Sequence, residues 1–187
     1  MIMGKVLSIQ IGQPTTVRYG GRLVTTSIFK EPVDGTVSVS QLGIDGDTQS
    51  DLTVHGGVNK AVYAYSFEYY QWWKEQYPQF EYNYGAFGEN LTISGIKESE
   101  TNLGDTYKIG TVVMQVTQPR SPCFKLGVKF NDPKMTAYFY RSQKFGFYLK
   151  VLEEGIIKPD DEIELLSKGT GRSTAQIVEE QVAGRGF

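Results

Sequence analysis

Residues 112–125 read VVMQVTQPRSPCFK and place a β-branched stretch just before a turn that holds the chain's single cysteine. A strand is predicted over Val112–Thr117, because valine and threonine favour extended backbone. Pro119 and Pro122 then fix backbone angles and prevent a hydrogen-bonded ladder from continuing through this point. The clearest predicted strand therefore leads directly into the turn that carries the cysteine.

Short segments of the same character recur along the chain, and 21 glycines separate them. Many short strands with glycine-rich turns are typical of a closed β-barrel or a closed pair of sheets, so we expect a mostly β fold. The other main predicted strands are Val6–Ile11, Leu23–Phe29, Thr36–Ser40, Ala61–Tyr65, Asn90–Ile93, Thr106–Ile109, Phe147–Glu153 and Glu162–Leu166.

Two stretches have helical spacing instead. Between Ser66 and Tyr77, aromatic residues recur every three or four positions, with Ser66 as a suitable cap and Pro78 as a stop. A second helix is predicted from Asp132, because Pro133 would occupy its first turn. Both helices are expected to lie against the sheet.

The composition excludes several functional classes. A chain of 187 residues with 40% hydrophobic and 21% charged residues indicates a globular domain with a full core. A net charge of −2 gives no basic excess for binding duplex nucleic acid. No apolar stretch is long enough to cross a bilayer and no secretory signal is visible, so a cytoplasmic protein is expected. One cysteine and one histidine exclude an intramolecular disulfide and a zinc site built from these ligands.

Cys123 is the first candidate functional residue. Arg120 lies three residues before it and Lys125 two residues after it. Nearby cations favour the thiolate, which is the form that binds a soft metal or carries a persulfide sulfur. The alternative is that Cys123 is a small buried apolar side chain, as most free cysteines are.

His55 precedes the pair Gly56 and Gly57, which permits a sharp turn or a close approach of the backbone to a ligand. Its imidazole could orient a bound group or move a proton near neutral pH, although a satisfied structural histidine is the alternative. Beside it, Asp47 and Asp51 could hold a loop through bonds from their side chains to the backbone rather than catalyse a reaction. A Cys–His hydrolase stays open, because one residue of each type exists.

Two further positions carry polar groups that a ligand could use. Asn90 offers both a donor and an acceptor, although a plain turn before a strand would explain the same residue. Lys30 could meet a phosphate-bearing ligand, as could Arg18 and Arg22, or all three could be ordinary surface cations.

Three segments in series resemble the signature motifs of MOSC domains, which occur at the C-terminus of molybdenum cofactor sulfurases and as stand-alone bacterial proteins. The segments are residues 46–65 (GDTQSDLTVHGGVNKAVYAY), 87–91 (FGENL) and 118–126 (QPRSPCFKL). The resemblance extends over most of the chain and is nearest to stand-alone bacterial proteins associated with resistance to 6-N-hydroxylaminopurine. It implies a β-barrel related to the pyruvate kinase barrel domain, with a few flanking helices.

The resemblance also implies site residues. The family's cysteine falls on Cys123, as a metal ligand or sulfur carrier, and its recurrent arginine and histidine fall on Arg120 and His55. These three are the catalytic candidates. Cofactor-binding roles are expected of Lys30, Gly56, Gly57, Asn90, Arg120 and Lys125.

The activity that the resemblance implies is that of a molybdenum cofactor-dependent reductase of N-hydroxylated bases or related N-oxygenated compounds. A molybdenum-pterin brings its own sulfurs, so the protein need supply only one thiolate. An external electron-donor protein is expected, because the sequence has no flavin, haem or iron–sulfur motif. One alternative is a sulfur carrier that accepts a persulfide on Cys123 from a pyridoxal phosphate-dependent desulfurase. Another is a non-catalytic module that binds or stores the cofactor.

The expected domain organisation is a MOSC β-barrel domain over residues 1–167 and a C-terminal tail over residues 168–187. The tail is polar and weakly patterned, so it is expected either to be loosely structured or to bind a partner. Since longer members of the family carry a C-terminal helical domain, the tail is interpreted as a possible remnant of such an extension.

Overall fold

The structure is a computed structural model and describes residues 1–48 and 56–184. Within these ranges the chain forms thirteen strands and four helices. The strands are β1 (Ile2–Ile11), β2 (Thr15–Tyr19), β3 (Arg22–Thr26), β4 (Glu31–Pro32), β5 (Val37–Ser40), β6 (Gly43–Ile44), β7 (Val62–Ser66), β8 (Leu91–Ser94), β9 (Thr106–Ile109), β10 (Val112–Pro119), β11 (Phe147–Glu153), β12 (Gly155–Ile157) and β13 (Glu162–Ser167). The helices are α1 (Glu68–Gln76), α2 (Lys125–Phe130), α3 (Met135–Ser142) and α4 (Thr174–Ala183).

Seven of the strands close into a barrel in the order β13-β9-β10-β11-β7-β8-β1, and β1 pairs back with β13. Neighbouring strands in this ring are antiparallel except β7 and β8, which are parallel. A parallel pair needs a crossover connection, and α1 lies in the connection between these two strands. The predicted mostly β fold and its closed barrel are confirmed.

The barrel wall separates two apolar cores, because successive side chains of a strand point to opposite faces. In β7, Val62 and Ala64 belong to an aliphatic core that all seven barrel strands share. Tyr63 and Tyr65 belong to a second, aromatic core, which also contains residues of all four helices. Tyr63 and Tyr65 therefore lie on the outer side of the barrel wall, among the aromatic side chains.

The helices differ from their predicted bounds at the N-terminus. Ser66 does not cap α1, because it is the last residue of β7 and its hydroxyl donates to the Ile96 carbonyl. The cap position is Phe67, which makes no side-chain capping bond, so the predicted cap is wrong. The second predicted helix is α3, which begins at Met135. Helix α2, between β10 and α3, was not predicted, since its six residues are too few to show a helical period.

The described part of the C-terminal tail is ordered by helix α4. Ser173 caps this helix in a capping box with Gln176, in which each side chain bonds the other residue's backbone N–H. Val178 and Val182 are buried in the aromatic core. The tail is therefore not loose over α4, whereas the domain boundary at residue 167 stays a prediction. Of the helices in residues 1–48 and 56–184, none is long and apolar enough to cross a membrane.

Candidate functional site: a cationic cleft with a cysteine

Strand pairing brings two tyrosines and an arginine together on the outer face of the barrel wall. Tyr148 of β11 lies opposite Tyr63 of β7, and Pro119 at the end of β10 lies opposite Phe147. The next residue after β10 is Arg120, whose backbone N–H donates to the carbonyl oxygen of Gly146 at 3.1 Å. Three neighbouring strands thus place these side chains beside one another.

The two tyrosines and the arginine line a cleft that is open to solvent. Its described lining carries four cationic residues and one carboxylate, so the cleft favours an anionic ligand. The sequence-predicted site residues that line it are Lys30, Asn90, Arg120, Cys123 and Lys125. Gly56 and Gly57 do not line the cleft, and the predicted catalytic residue His55 lies outside the described residues, as does Asp51.

One part of the cleft lining, which we call the floor, consists of Lys30, Asp47 and Asn90. Lys30 Nζ donates to Asp47 Oδ1 in an ion pair whose two side chains are 9% and 5% exposed. Burial lowers the pKa of Lys30, and the neighbouring carboxylate of Asp47 opposes this shift. Asp47 Oδ1 also accepts the backbone N–H of Gly12 at 2.8 Å, which confirms the predicted loop-holding role of this carboxylate.

The amide of Asn90 is engaged on both sides. Its Nδ2 donates to Asp47 Oδ2 at 2.8 Å and to the Gln10 carbonyl at 3.3 Å, and its Oδ1 accepts the backbone N–H of Tyr63 at 3.1 Å. Asn90 therefore joins β1, β7 and the Asp47 loop at the start of β8. Its role in binding a cofactor stays a prediction.

Arg120 supplies a fixed positive charge to the cleft. Arg120 is 5% exposed. Its guanidinium carbon lies 4.6 Å from the Tyr63 ring centroid, and its Nη1 donates to the Phe87 carbonyl. Burial disfavours the charge, but the facing Tyr63, Tyr148 and Cys123 outweigh burial and raise the pKa of Arg120. Its buried Nε has no hydrogen-bond partner among the described residues.

A fully buried carboxylate, which the sequence analysis did not single out as functional, fixes the loop that holds Arg120. Glu89 Oε1 accepts the hydroxyl of Tyr70 and, at 3.0 Å each, the Gly85 N–H and the Thr92 hydroxyl. Its Oε2 accepts the Phe87 N–H at 3.0 Å. Since the carbonyl of the same phenylalanine receives the guanidinium, this carboxylate positions the acceptor of Arg120.

Cys123 is half-buried and lines the cleft, and its functional role stays a prediction. Its carbonyl accepts the Leu126 N–H at 3.1 Å and the Thr136 hydroxyl at 3.2 Å, which ties the turn to α2 and α3. Its sulfur interacts electrostatically with both Arg120 and Tyr148. The thiol is therefore held at a defined place beside a permanent cation.

Sequence reasoning did not single out Lys60, Tyr63 or Tyr148 as site residues. Gly57, at φ 89°, precedes a single 3₁₀ turn over Val58–Lys60, and its carbonyl accepts the Lys60 N–H at 2.9 Å. This turn places Lys60 in the cleft lining, with Nζ 5.9 Å from the Tyr148 ring centroid. The tyrosines could have been found from the two-residue alternation of β7 and β11, had the pairing of these strands been known.

The fold and cleft together define a class of protein: a closed β-barrel with a half-exposed cysteine in a cationic cleft on its outer face. The family model described as MOSC domain matches residues 51–164. The chain therefore belongs to the MOSC domain family.

Individual relatives agree with this assignment. The "Uncharacterized protein YflK" of Bacillus subtilis (strain 168) is 41% identical over 164 residues, which are 88% of this chain and 74% of that protein. A protein named "Reductase" from Gibberella moniliformis (strain M3125 / FGSC 7600) is 34% identical over 168 residues, and the match covers 88% of this chain but 30% of that protein. The crystal structure of YiiM from Geobacillus stearothermophilus superimposes with a TM-score of 0.80 at 37% identity, covering 98% of this chain and 86% of that one.

Proposed function

We propose that this protein binds the molybdenum cofactor in its cationic cleft and reduces N-hydroxylated bases or related N-oxygenated compounds. The observation that carries the proposal is the half-exposed Cys123 in a cleft with four cationic residues. Two comparisons support it in general terms. The MOSC domain is associated with molybdenum cofactor binding, and one relative is named a reductase.

The residues of the cleft fit this cofactor. A molybdenum-pterin carries an anionic phosphate and its own dithiolene sulfurs, so it needs cations and one further thiolate from the protein. Lys60, Arg120 and Lys125 provide the cations, and Cys123 provides the thiolate.

The proposal assigns a role to each of these side chains and to His55. Cys123 Sγ would ligate the metal, Lys125 and Lys60 would bind phosphate, and Arg120 would stabilise negative charge beside the thiolate. When bound, the cofactor supplies two-electron redox chemistry. His55 is proposed to position the substrate or assist a proton transfer, and an external electron-donor protein is proposed as the partner.

The test is to express the protein in cells that make the cofactor and to measure molybdenum and pterin per chain. We expect the wild type to retain both, and Cys123→Ala to retain at least about tenfold less metal and to lose reduction of 6-N-hydroxylaminopurine. Ser121→Ala, an exposed position in the same turn, is the matched control and should behave like the wild type.

Two results would contradict the proposal. Unchanged metal content in Cys123→Ala would exclude the thiol as a ligand. A sulfur adduct on Cys123 after incubation with a pyridoxal phosphate-dependent desulfurase, together with no bound pterin in the wild type, would instead support the sulfur carrier.

A further inference from the structure

Several polar groups that line the cleft are already engaged within the protein. Tyr63 donates its hydroxyl to the Phe145 carbonyl at 2.7 Å, and Thr48 donates its hydroxyl to Gln13 Oε1 at 3.2 Å. The amide of Asn90 is engaged on both its oxygen and its nitrogen, as described above. Such groups hold the cleft together and have little capacity left for a ligand.

Tyr148 differs from its strand neighbour Tyr63 in this respect. The two rings lie 5.4 Å apart between centroids, and both side chains line the cleft. Within residues 1–48 and 56–184, no atom accepts a hydrogen bond from the Tyr148 hydroxyl, and this oxygen is not among the enclosed polar atoms that lack a partner. The hydroxyl therefore faces the open space of the cleft.

The Tyr148 hydroxyl also lies where chemistry is expected. It interacts electrostatically with the guanidinium of Arg120 and the sulfur of Cys123. A tyrosine hydroxyl ordinarily carries its proton at neutral pH and can donate a hydrogen bond.

We propose that the Tyr148 hydroxyl donates a hydrogen bond to the oxygen of an N-hydroxylated substrate bound beside Cys123. This inference rests on the proposed function and assigns a substrate-binding residue to it. A hydroxyl that faces a cleft and lacks an acceptor among the described residues favours a ligand that brings one, and disfavours an analogue that leaves it unpaired. Tyr148 would therefore distinguish a hydroxylamino group from the amino group of the product.

The test compares Tyr148→Phe with Tyr63→Phe, which removes a neighbouring hydroxyl that already has a backbone acceptor. Binding of 6-N-hydroxylaminopurine and of adenine to the metal-loaded protein is measured by calorimetry without an electron donor, so that no turnover occurs. We expect the wild type and Tyr63→Phe to bind the hydroxylamino compound about tenfold more tightly than adenine. In Tyr148→Phe this preference should disappear while molybdenum content per chain stays unchanged.

The outcomes separate this inference from the proposed function. A Tyr148→Phe protein that keeps its metal and its preference would overturn the role of Tyr148 and leave the proposed function intact. An equal loss of preference in Tyr63→Phe, or a loss of metal in Tyr148→Phe, would also overturn it, since the effect would not act through the substrate oxygen. A wild type without molybdenum and pterin would refute the proposed function, and this inference with it.

Discussion

The floor and the mouth of the cleft use similar residues for different purposes. At the floor, Asp47 bonds to both Lys30 and Asn90. Asp47 and Asn90 also bond to backbone groups of Gly12, Gln10 and Tyr63. At the mouth, which we define as Cys123, Lys125 and Tyr148, the tyrosine hydroxyl has no acceptor among the described residues and the thiol is half-exposed. Buried polar groups must be paired for the fold to be stable, whereas the Tyr148 hydroxyl can still donate a hydrogen bond to a ligand.

The largest expected effect on stability comes from breaking the hydrogen bonds of Glu89, which directly precedes Asn90 of the floor. Glu89→Ala would leave four donors without their acceptor, in a residue that is 0% exposed. We expect the free energy of unfolding to fall by about 3–5 kcal/mol, as measured by urea denaturation. The control is the exposed Glu179→Ala, which should change stability by less than about 0.5 kcal/mol. A loss below about 1 kcal/mol in Glu89→Ala would show that the loop does not depend on this carboxylate.

A smaller change in stability, in the stabilising direction, is expected on replacing Glu98, a buried carboxylate outside the cleft. Its Oε1 accepts the Gly146 N–H at 2.6 Å, but its Oε2 has no partner among the described residues. Burial raises the pKa of Glu98 above its ordinary value of 4.5, and bonds from Tyr69 and Gly146 oppose the rise. Because the folded protein binds this proton more tightly than the unfolded chain, protonation of Glu98 stabilises the fold. This contribution is fully present below pH 4.5 and is lost as the pH rises through the higher pKa of the folded state.

Glu98→Gln removes this titration while keeping an oxygen for Gly146. At neutral pH we expect the variant to be more stable than the wild type by on the order of 1 kcal/mol, with the difference vanishing below pH 4.5. Urea denaturation across this pH range measures it. Glu89→Gln is the matched control and should destabilise the protein at neutral pH, because both oxygens of Glu89 accept N–H or O–H groups. A difference in stability between Glu98→Gln and the wild type that does not change with pH would contradict the titration of Glu98 proposed above.

The smallest effect on stability is expected at the mouth. Lys125→Ala should change the free energy of unfolding by less than about 0.5 kcal/mol, because the residue is only partly buried. Retention of the pterin cofactor at rising salt should nevertheless weaken, since an ion pair with phosphate is lost. Lys134→Ala, an exposed lysine that does not line the cleft, should retain cofactor like the wild type. Equal retention in both variants would remove Lys125 from the ligand-binding residues.

Much of the barrel could be predicted from sequence because its strands show local signals. The predicted strands Thr106–Ile109 and Phe147–Glu153 coincide with β9 and β11. Helices α2 and α4 were missed, since the first is short and the second is fixed by contacts with distant residues: the Thr174 hydroxyl, for example, donates to the Glu98 carbonyl. Tertiary contacts of this kind leave no periodic pattern to detect.

The cleft was predictable to a different extent. Arg120, Cys123 and Lys125 lie within six consecutive residues at the end of a strand, so their proximity is local. Tyr148 joins them only through the pairing of β11 with β7 and β10, which the sequence does not display. The division between floor and mouth also depends on which atoms are already bonded, and residue types alone do not give this.

The most direct measurement is the number of sulfur atoms bound to molybdenum, from X-ray absorption of the purified, cofactor-loaded protein. If Cys123 Sγ is the protein ligand in the cationic cleft, wild-type molybdenum should have one more sulfur neighbour than the loaded fraction of Cys123→Ser. The same sulfur count in both proteins would contradict the central claim.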